Sequence, residues 1–475
     1  MKIRNDIAAL LLALGLSSSA PLLAATAATD ASTVATAPRS AQTSEYALDN
    51  GMRVIVKPDH RAPVVVSMVW YRVGSVDEVT GHTGVAHVLE HMMFKGTRDV
   101  GPGQFSRLVA AAGGRDNAFT SRDATAYFQT LQKSELPLAL KLEADRMANL
   151  ILSADEFKRE IQVVMEERRW RVEDQARSLL VEQMMATVLK AHPYRQPVIG
   201  WMNDLQNMSV EDARAFYQRW YGPNNALLVV VGDVQPDEVF GLAKKYFGPL
   251  KPRALPERKP QVEPVQRGIQ RITVKAPAEL PNLVMTYRTP ALQDPEHDWE
   301  PYALDVLSDV LSGNEAARLN RSLVRDQRIA SSAGAGYDSV GRGPALFQLF
   351  ATPTPGKNAA ELEQALRREI RSVVDKGVSA EELERVKAQS VASHVYERDS
   401  MMFQARQIGG LEIAGLSHRH IDLFLEKLKA VTPEQVQAVA TKYLVDDGLT
   451  VAYLDPQPLP AERPAPPPGG PDHVR

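Results

Sequence analysis

Two histidines and a glutamate, in the run His87-Val88-Leu89-Glu90-His91, are the residues of this chain best placed to do chemistry. On a helix, His87 and His91 fall one turn apart on one face, and Glu90 lies between them. Val85, Val88, Leu89 and Met92 form an apolar stripe on the other side. Two imidazoles at that spacing can hold one Zn²⁺ from the same side. The carboxylate beside them is placed to take a proton from a metal-activated water.

The order H-x-x-E-H is the inverted form of the zincin motif. A zinc site needs a third protein ligand. The chain has no cysteine, so thiolate sites, disulfides and cysteine nucleophiles are excluded, and any metal must be held by histidine and carboxylate. A long helix is predicted to open at Ser153, with Glu156 three residues on as a capping box. On it Glu160 and Glu167 are seven residues apart, within about 20° of each other around the axis. Val163 and Val164 lie between them on the same side, so this face is not simply solvated. A carboxylate on an apolar face needs a partner, and a metal supplies one. Glu166 points about 100° or more away and is the near competitor of Glu167.

With these residues in hand, the segment resembles peptidase family M16, the pitrilysin, insulinase and mitochondrial-processing-peptidase group. In that family H-x-x-E-H is followed some 75 residues later by a ligand glutamate, and 75 residues separate His91 from Glu167 here. The surroundings are similar too: Gly84 to Thr97, Asn117-Ala118-Phe119-Thr120-Ser121, His192-Pro193-Tyr194 and Val198-Ile199-Gly200. The resemblance implies that His87, His91 and Glu167 bind one Zn²⁺ per chain. It implies that Glu90 is the catalytic base, and that Glu160 is a second carboxylate grouped with it in the catalytic machinery. Asn117 matches a residue near the bound peptide. An extended peptide would add to an exposed strand edge, for which Asn117, Ala118, Phe119 and Thr120 are the candidates.

The elements that must position these groups can be read along the chain of 475 residues, long enough for two domains with sizeable cores. Residues 1–27 read as a signal peptide: Lys2 and Arg4, an apolar run from Ile7 to Leu16, then small residues. A periplasmic destination follows, with no membrane span after cleavage. A net charge of −3 offers no footing for nucleic acid or an anionic membrane surface. Residues 28–43 read as a flexible leader. Residues 44–250 form the expected metal-binding domain, with a hairpin at Asp49-Asn50-Gly51, a strand over 64–71, strands over 117–122 and 124–132, and helices over 104–112 and 134–150.

The second half echoes the first. Ser209-Val210-Glu211-Asp212, Trp220-Tyr221 and the apolar run to Asp233 recur, offset by 223 residues, as Thr432-Pro433-Glu434-Gln435, Tyr443-Leu444 and the run to Asp455. Residues 251–268, rich in proline and charge, read as a linker. Residues 269–456 then form a repeated domain without the metal motif. Strands are expected at 272–274, 283–287 and 345–351, and helices near 297–312, 359–376 and 380–417. Residues 457–475 read as a disordered, proline-rich tail.

The expected fold is α+β: two homologous domains, each a mainly antiparallel sheet covered by helices, which the resemblance arranges as a clam shell. The expected function is zinc-dependent hydrolysis of peptides or unfolded polypeptide segments. In active single-chain relatives the second domain offers an arginine and, six or seven residues on, a tyrosine. Arg325 matches the arginine. Ser331 and Ser332 stand where the tyrosine is expected, and the nearest tyrosine is Tyr337. A second reading follows: a metal-binding, weakly catalytic subunit that scaffolds or presents substrate, working with a homologous partner subunit or as a homodimer.

Overall fold

The computed structural model describes residues 43–459. The expected signal peptide, nearly all of the leader and most of the proline-rich tail lie outside that range. The first half runs β1 (Ser44–Ala47), β2 (Arg53–Pro58), β3 (Val64–Tyr71), α1 (Val85–Met92), α2 (Gln104–Ala111), β4 (Arg115–Thr120), β5 (Thr125–Gln132), α3 (Leu136–Asn149), α4 (Ala154–Arg168), α5 (Ala176–Val188), α6 (Met202–Asn207), α7 (Val210–Trp220), β6 (Ala226–Gly232) and α8 (Pro236–Tyr246). The second half runs β7 (Gln270–Pro277), β8 (Asn282–Thr289), α9 (Glu300–Ser312), β9 (Ala330–Tyr337), β10 (Ala345–Pro353), α10 (Ala359–Lys376), α11 (Ala380–Glu397), α12 (Met401–Ala414), α13 (Ile421–Ala430), α14 (Pro433–Tyr443) and β11 (Leu449–Gln457).

The first sheet has the order β1-β2-β6-β3-β5-β4 and the second β7-β11-β8-β10-β9. Apart from β1, the two are the same pattern. In each, one parallel pair (β2 with β6, β7 with β11) sits beside antiparallel neighbours. The repeat is matched in detail. The helices α7 and α14 have 11 residues each, and each opens with a capping box, Ser209 with Asp212 and Thr432 with Gln435. The strand β6 is Ala-Leu-Leu-Val-Val-Val-Gly and buried along its whole length, as a central strand covered on both faces must be.

Alternation divides each sheet into two faces. On one face of the first sheet Val54, Val56, Val69, Tyr71, Tyr127, Leu228 and Val230 join the core beneath its own helices. The other face, with Ile55, Val66, Met68, Leu227, Val229 and Val231, is covered by Ala405, Ile408 and Ile413 of α12, a helix of the second half. The exchange is reciprocal. Leu180, Met184, Met185 and Val188 of α5, from the first half, cover Ala276, Val284, Ala452 and Leu454 of the second sheet. Each isoleucine so buried contributes about 1.5–3 kcal/mol. A cleft of about 580 Å³ remains between the halves, with Phe119, Tyr194 and Phe424 among its walls.

Several elements differ from expectation, for identifiable reasons. The single helix expected over 380–417 is two, because Ser400 caps α12 by accepting from the Phe403 amide at 3.2 Å. The strand β9 had no signal in its sequence, Ala-Ser-Ser-Ala-Gly-Ala-Gly-Tyr, which is poor in β-branched residues. Its small residues leave room for a neighbour: a Cβ on Gly334 would lie 2.4 Å from the Phe350 ring. Ser153 does cap α4, accepting from the Glu156 amide at 3.2 Å, but Glu156 turns outward to Arg159 and makes no reciprocal bond. Val163 is 41% exposed, whereas Val164 is fully buried, so the face between Glu160 and Glu167 is only half apolar.

Residues 251–268 contain no helix or strand, yet they are tied along their length. Arg253 donates to Tyr221 O, and Glu263 accepts from the amides of Lys190, Ala191 and His192. The loop between β9 and β10 closes the junction of the halves. Arg342 makes paired contacts of 2.8 and 2.9 Å to Asp77, and its amide donates to Asp123 at 3.0 Å. Tyr194, of the His192-Pro193-Tyr194 motif, donates to the same Asp123 at 2.5 Å. Gly343 seats against that motif, where a Cβ would lie 2.4 Å from the His192 ring. Arg258 also reaches Asp77, at 2.7 Å. Arg342→Ala should therefore lower stability by about 3 kcal/mol, the low end for breaking a buried ion pair, because Arg258 remains. Denaturant unfolding monitored by tryptophan fluorescence reads this out, and a change under 1 kcal/mol would show that the junction holds without the pair.

Candidate metal centre

The helix α1 has only eight residues, too few to be stable alone, and its start is clamped from three sides. Gly84 precedes it at φ +87 and touches backbone: a Cβ there would lie 2.6 Å from Ile199 O, and one on Gly200 would lie 2.3 Å from Thr83 O. This contact accounts for Gly84 and for the Val198-Ile199-Gly200 run together. The buried carboxylate of Glu78 accepts from the amides of Gly84 at 2.9 Å and Ala86 at 2.8 Å. It satisfies free donors of the first turn and opposes the positive end of the helix dipole. Thr83 bonds Asp204 through both its amide and its hydroxyl. Glu78 and Asp204 had no pattern in the sequence, because their partners are backbone groups brought near by the fold.

From this base α1 and α4 bring the expected residues together. Glu167 Oε2 lies 3.7 Å from His87 Nε2 and 3.4 Å from His91 Nε2. One ligand atom from each of the three residues falls within 4.8 Å of the others. Two donors bound at about 2.0–2.1 Å to one tetrahedral zinc lie roughly 3.3 Å apart, so the spacing fits that ion. It is wider than the 2.8–3.0 Å or so of a direct N–H···O bond. Both carboxylate oxygens of Glu167 are buried without a hydrogen-bond partner, which a cation between the three groups would supply to Oε2. Glu166, by contrast, points to solvent and pairs with Arg169.

Glu160 stands at the other ring nitrogen of His91, with Oε1 2.8 Å from Nδ1. Lys95 holds its second oxygen at 2.5 Å. Glu160 thus bonds one ring nitrogen of His91 while the other, Nε2, faces Glu167. Lys95 has no helical spacing to announce it in the sequence, because it lies beyond the end of α1 at Met92.

Glu90 is 6% exposed, and its Oε2 accepts from Thr120 Oγ1 at 2.5 Å. Burial pushes its carboxyl up to about 7, against the pull of His91 and the Thr120 bond. Burial and the charge of His91 drive His87 down to about 3. His91 is also disfavoured by burial as a cation, but Glu160 and Glu167 outweigh this and raise it to about 9. Glu167 is held at about 2, its burial outweighed by His91, His87 and Arg171.

The four strand residues taken for a peptide site do not share a face. Ala118 is buried in the core under α1, and Thr120 holds Glu90. Phe119 packs edge-on to Trp70, at 5.3 Å between ring centres, and walls the cleft. Asn117 is on the Phe119 side by alternation, and its Oδ1 accepts from the Ala118 amide. What they have in common is β4, which pairs only with β5 and so leaves one backbone edge open among the described strands. Arg325 is exposed on a π-helical turn, Asn320–Asp326. Ser331 donates to Thr352 O, and Tyr337 is committed to Pro290 O at 2.5 Å.

Comparison with known proteins agrees with this geometry. The model described as Insulinase (Peptidase family M16) matches residues 53–201, and that of the Peptidase M16 inactive domain matches residues 207–390. The zinc protease PqqE of Helicobacter pylori is 32% identical over 429 residues, which cover 86% of this chain and 92% of the relative. An uncharacterized zinc protease of Mycobacterium leprae is 30% identical over 86% of this chain and 91% of its own length. The crystal structure of a protease from Helicobacter pylori superposes with a TM-score of 0.83 at 30% identity, covering 88% of this chain and all of that one. The periplasmic protease PqqL of Escherichia coli shares the fold at a TM-score of 0.75 and 22% identity, with this chain spanning 48% of its length. With the H-x-x-E-H motif in its first half and a repeat without it, the chain belongs to peptidase family M16.

Proposed function

We propose that this protein is a zinc-dependent metallopeptidase acting on peptides or unfolded polypeptide segments. The observation that carries the reading is the meeting of His87 Nε2, His91 Nε2 and Glu167 Oε2 around one point, with Glu90 beside it. His87, His91 and Glu167 would hold the ion, whose chemistry is to acidify water and polarise a carbonyl. Glu90, its Oε2 tethered by Thr120, takes the proton of the attacking water on Oε1 and passes it to the leaving amine. Glu160 and Lys95 keep His91 turned toward the ion. The open edge of β4 receives the peptide as an added strand, reading backbone more than side chains, which suits extended or unfolded substrates. The basic start and apolar run of residues 1–27 support export to the periplasm. No described helix is long and apolar enough to cross a membrane.

One equivalent of zinc should bind the purified chain, and His91→Ala should lose it. Glu167→Gln should weaken zinc binding while Glu166→Gln leaves it unchanged, as read by metal analysis after dialysis. The reverse pattern would move the ligand by one residue.

Glu90→Gln keeps size and shape but accepts no proton. It should fold and hold zinc yet lose about 10³-fold or more in kcat, since base and activated water act as a unit. Turnover near that of the unsubstituted chain would exclude this mechanism.

A second subunit is favoured by Ser331-Ser332 and by the commitment of Tyr337 to Pro290. Donors aimed at a developing oxyanion are commonly worth about 3 kcal/mol. Peptide cleavage by the chain should therefore rise when a homologous subunit is added. In the chain alone, Ser331→Tyr should raise it about tenfold, or about 1.4 kcal/mol. A single-chain rate indifferent to both would rule out partner dependence.

A further inference from the structure

The chain does not leave Glu167 to choose its own geometry. Its two oxygens have different surroundings: Oε2 faces the two histidines, and Oε1 lies 3.1 Å from Nε of Arg171. Arg171 sits on a π-helical turn, Arg169–Glu173, that begins where α4 ends, one residue after Arg168. Such turns are uncommon and cluster at functional sites. This one is firmly seated. Arg168, 4% exposed, makes paired bonds of 2.8 and 3.0 Å to Glu182 and a third of 2.8 Å to Gly200 O. Gly200 is the residue packed against Gly84 at the start of α1. The turn carrying Arg171 and the helix carrying the histidines therefore share one support.

We propose that Arg171 is a positioning residue that restricts Glu167 to a single ligating oxygen. The inference rests on the reading that His87, His91 and Glu167 hold zinc. A carboxylate can offer one oxygen or both to a cation. A second oxygen would occupy the position that a hydrolytic site must leave open for water. The guanidinium, 3.1 Å from Oε1 in an ion pair without a formed hydrogen bond, competes for that oxygen by its charge and keeps the position clear. Its charge also withdraws electron density from the carboxylate, so the same contact lowers affinity for the ion. Arg171 thus favours an open coordination position over the tightest possible grip.

The test uses the full chain loaded with one equivalent of zinc, in four forms: unsubstituted, Arg171→Gln, Arg171→Lys and Arg169→Ala. Arg169 lies on the same turn but pairs with exposed Glu166, so its loss controls for the turn itself. Coordination number is read by zinc X-ray absorption, affinity by chelator competition, and kcat and KM by peptide hydrolysis, with circular dichroism to check folding. Arg171→Gln should add one oxygen at bonding distance, hold zinc as tightly or more tightly, and lower kcat about 10- to 100-fold, the usual size for a partner of a metal ligand. KM should change little. Arg171→Lys, which keeps the charge, should recover part of both effects, and Arg169→Ala should match the unsubstituted chain. An unchanged coordination number in Arg171→Gln, whatever its activity, overturns the proposal, as does weakened zinc binding. Failure of the unsubstituted chain to bind zinc would instead overturn the metallopeptidase reading.

Discussion

The centre depends on a short helix held rigidly at its N-terminal end. Eight residues cannot pin three ionisable side chains by helical propensity. The fixing comes from outside: the Glu78 carboxylate on the first amides, and the Gly84–Gly200 contact, which admits no side chain. The other groups of the centre are referred to this anchor. Glu160 orients His91, Thr120 orients Glu90, and the turn after α4 is tied by Arg168 to the carbonyl of Gly200. Buried charges need partners, and here each partner also sets a direction.

The halves are joined by more than a surface of contact. Each sheet has one face beneath its own helices and the other beneath a helix of the opposite half, so the two cores are completed together. The junction around Asp77, Asp123, Tyr194 and Arg342 lies at the turn after β4, next in sequence to Thr120. The half without a metal motif thus supports the strand that carries the residue holding Glu90. It repeats the sheet pattern, down to the matched capped helices α7 and α14, without the metal motif.

What was legible in the sequence was whatever depends on local spacing. His87, Glu90 and His91 share a helix face, Glu160 and Glu167 share another, and hairpin, strand and cap signals placed most of the first half. The illegible parts have partners distant in sequence. Glu78 caps α1 through backbone donors, Arg342 crosses from the second half, and α12 leaves its own sheet altogether. Alternation along β4 separates Ala118 and Thr120 from Asn117 and Phe119, which a motif read as a block conceals. β9 was missed because its small residues suit a neighbour's ring more than they declare a strand.

The exchanged helices impose an order on biogenesis. The first sheet is complete in sequence at Gly232, but the helix that covers its outer face begins at Met401. Roughly 170 residues must be synthesised in between, about 10 to 30 seconds at ordinary elongation rates. Until then Ile55, Val66, Met68, Leu227, Val229 and Val231 have no cover, and the first half cannot reach its native stability. A nascent chain of this design is held back from folding until nearly all of it exists.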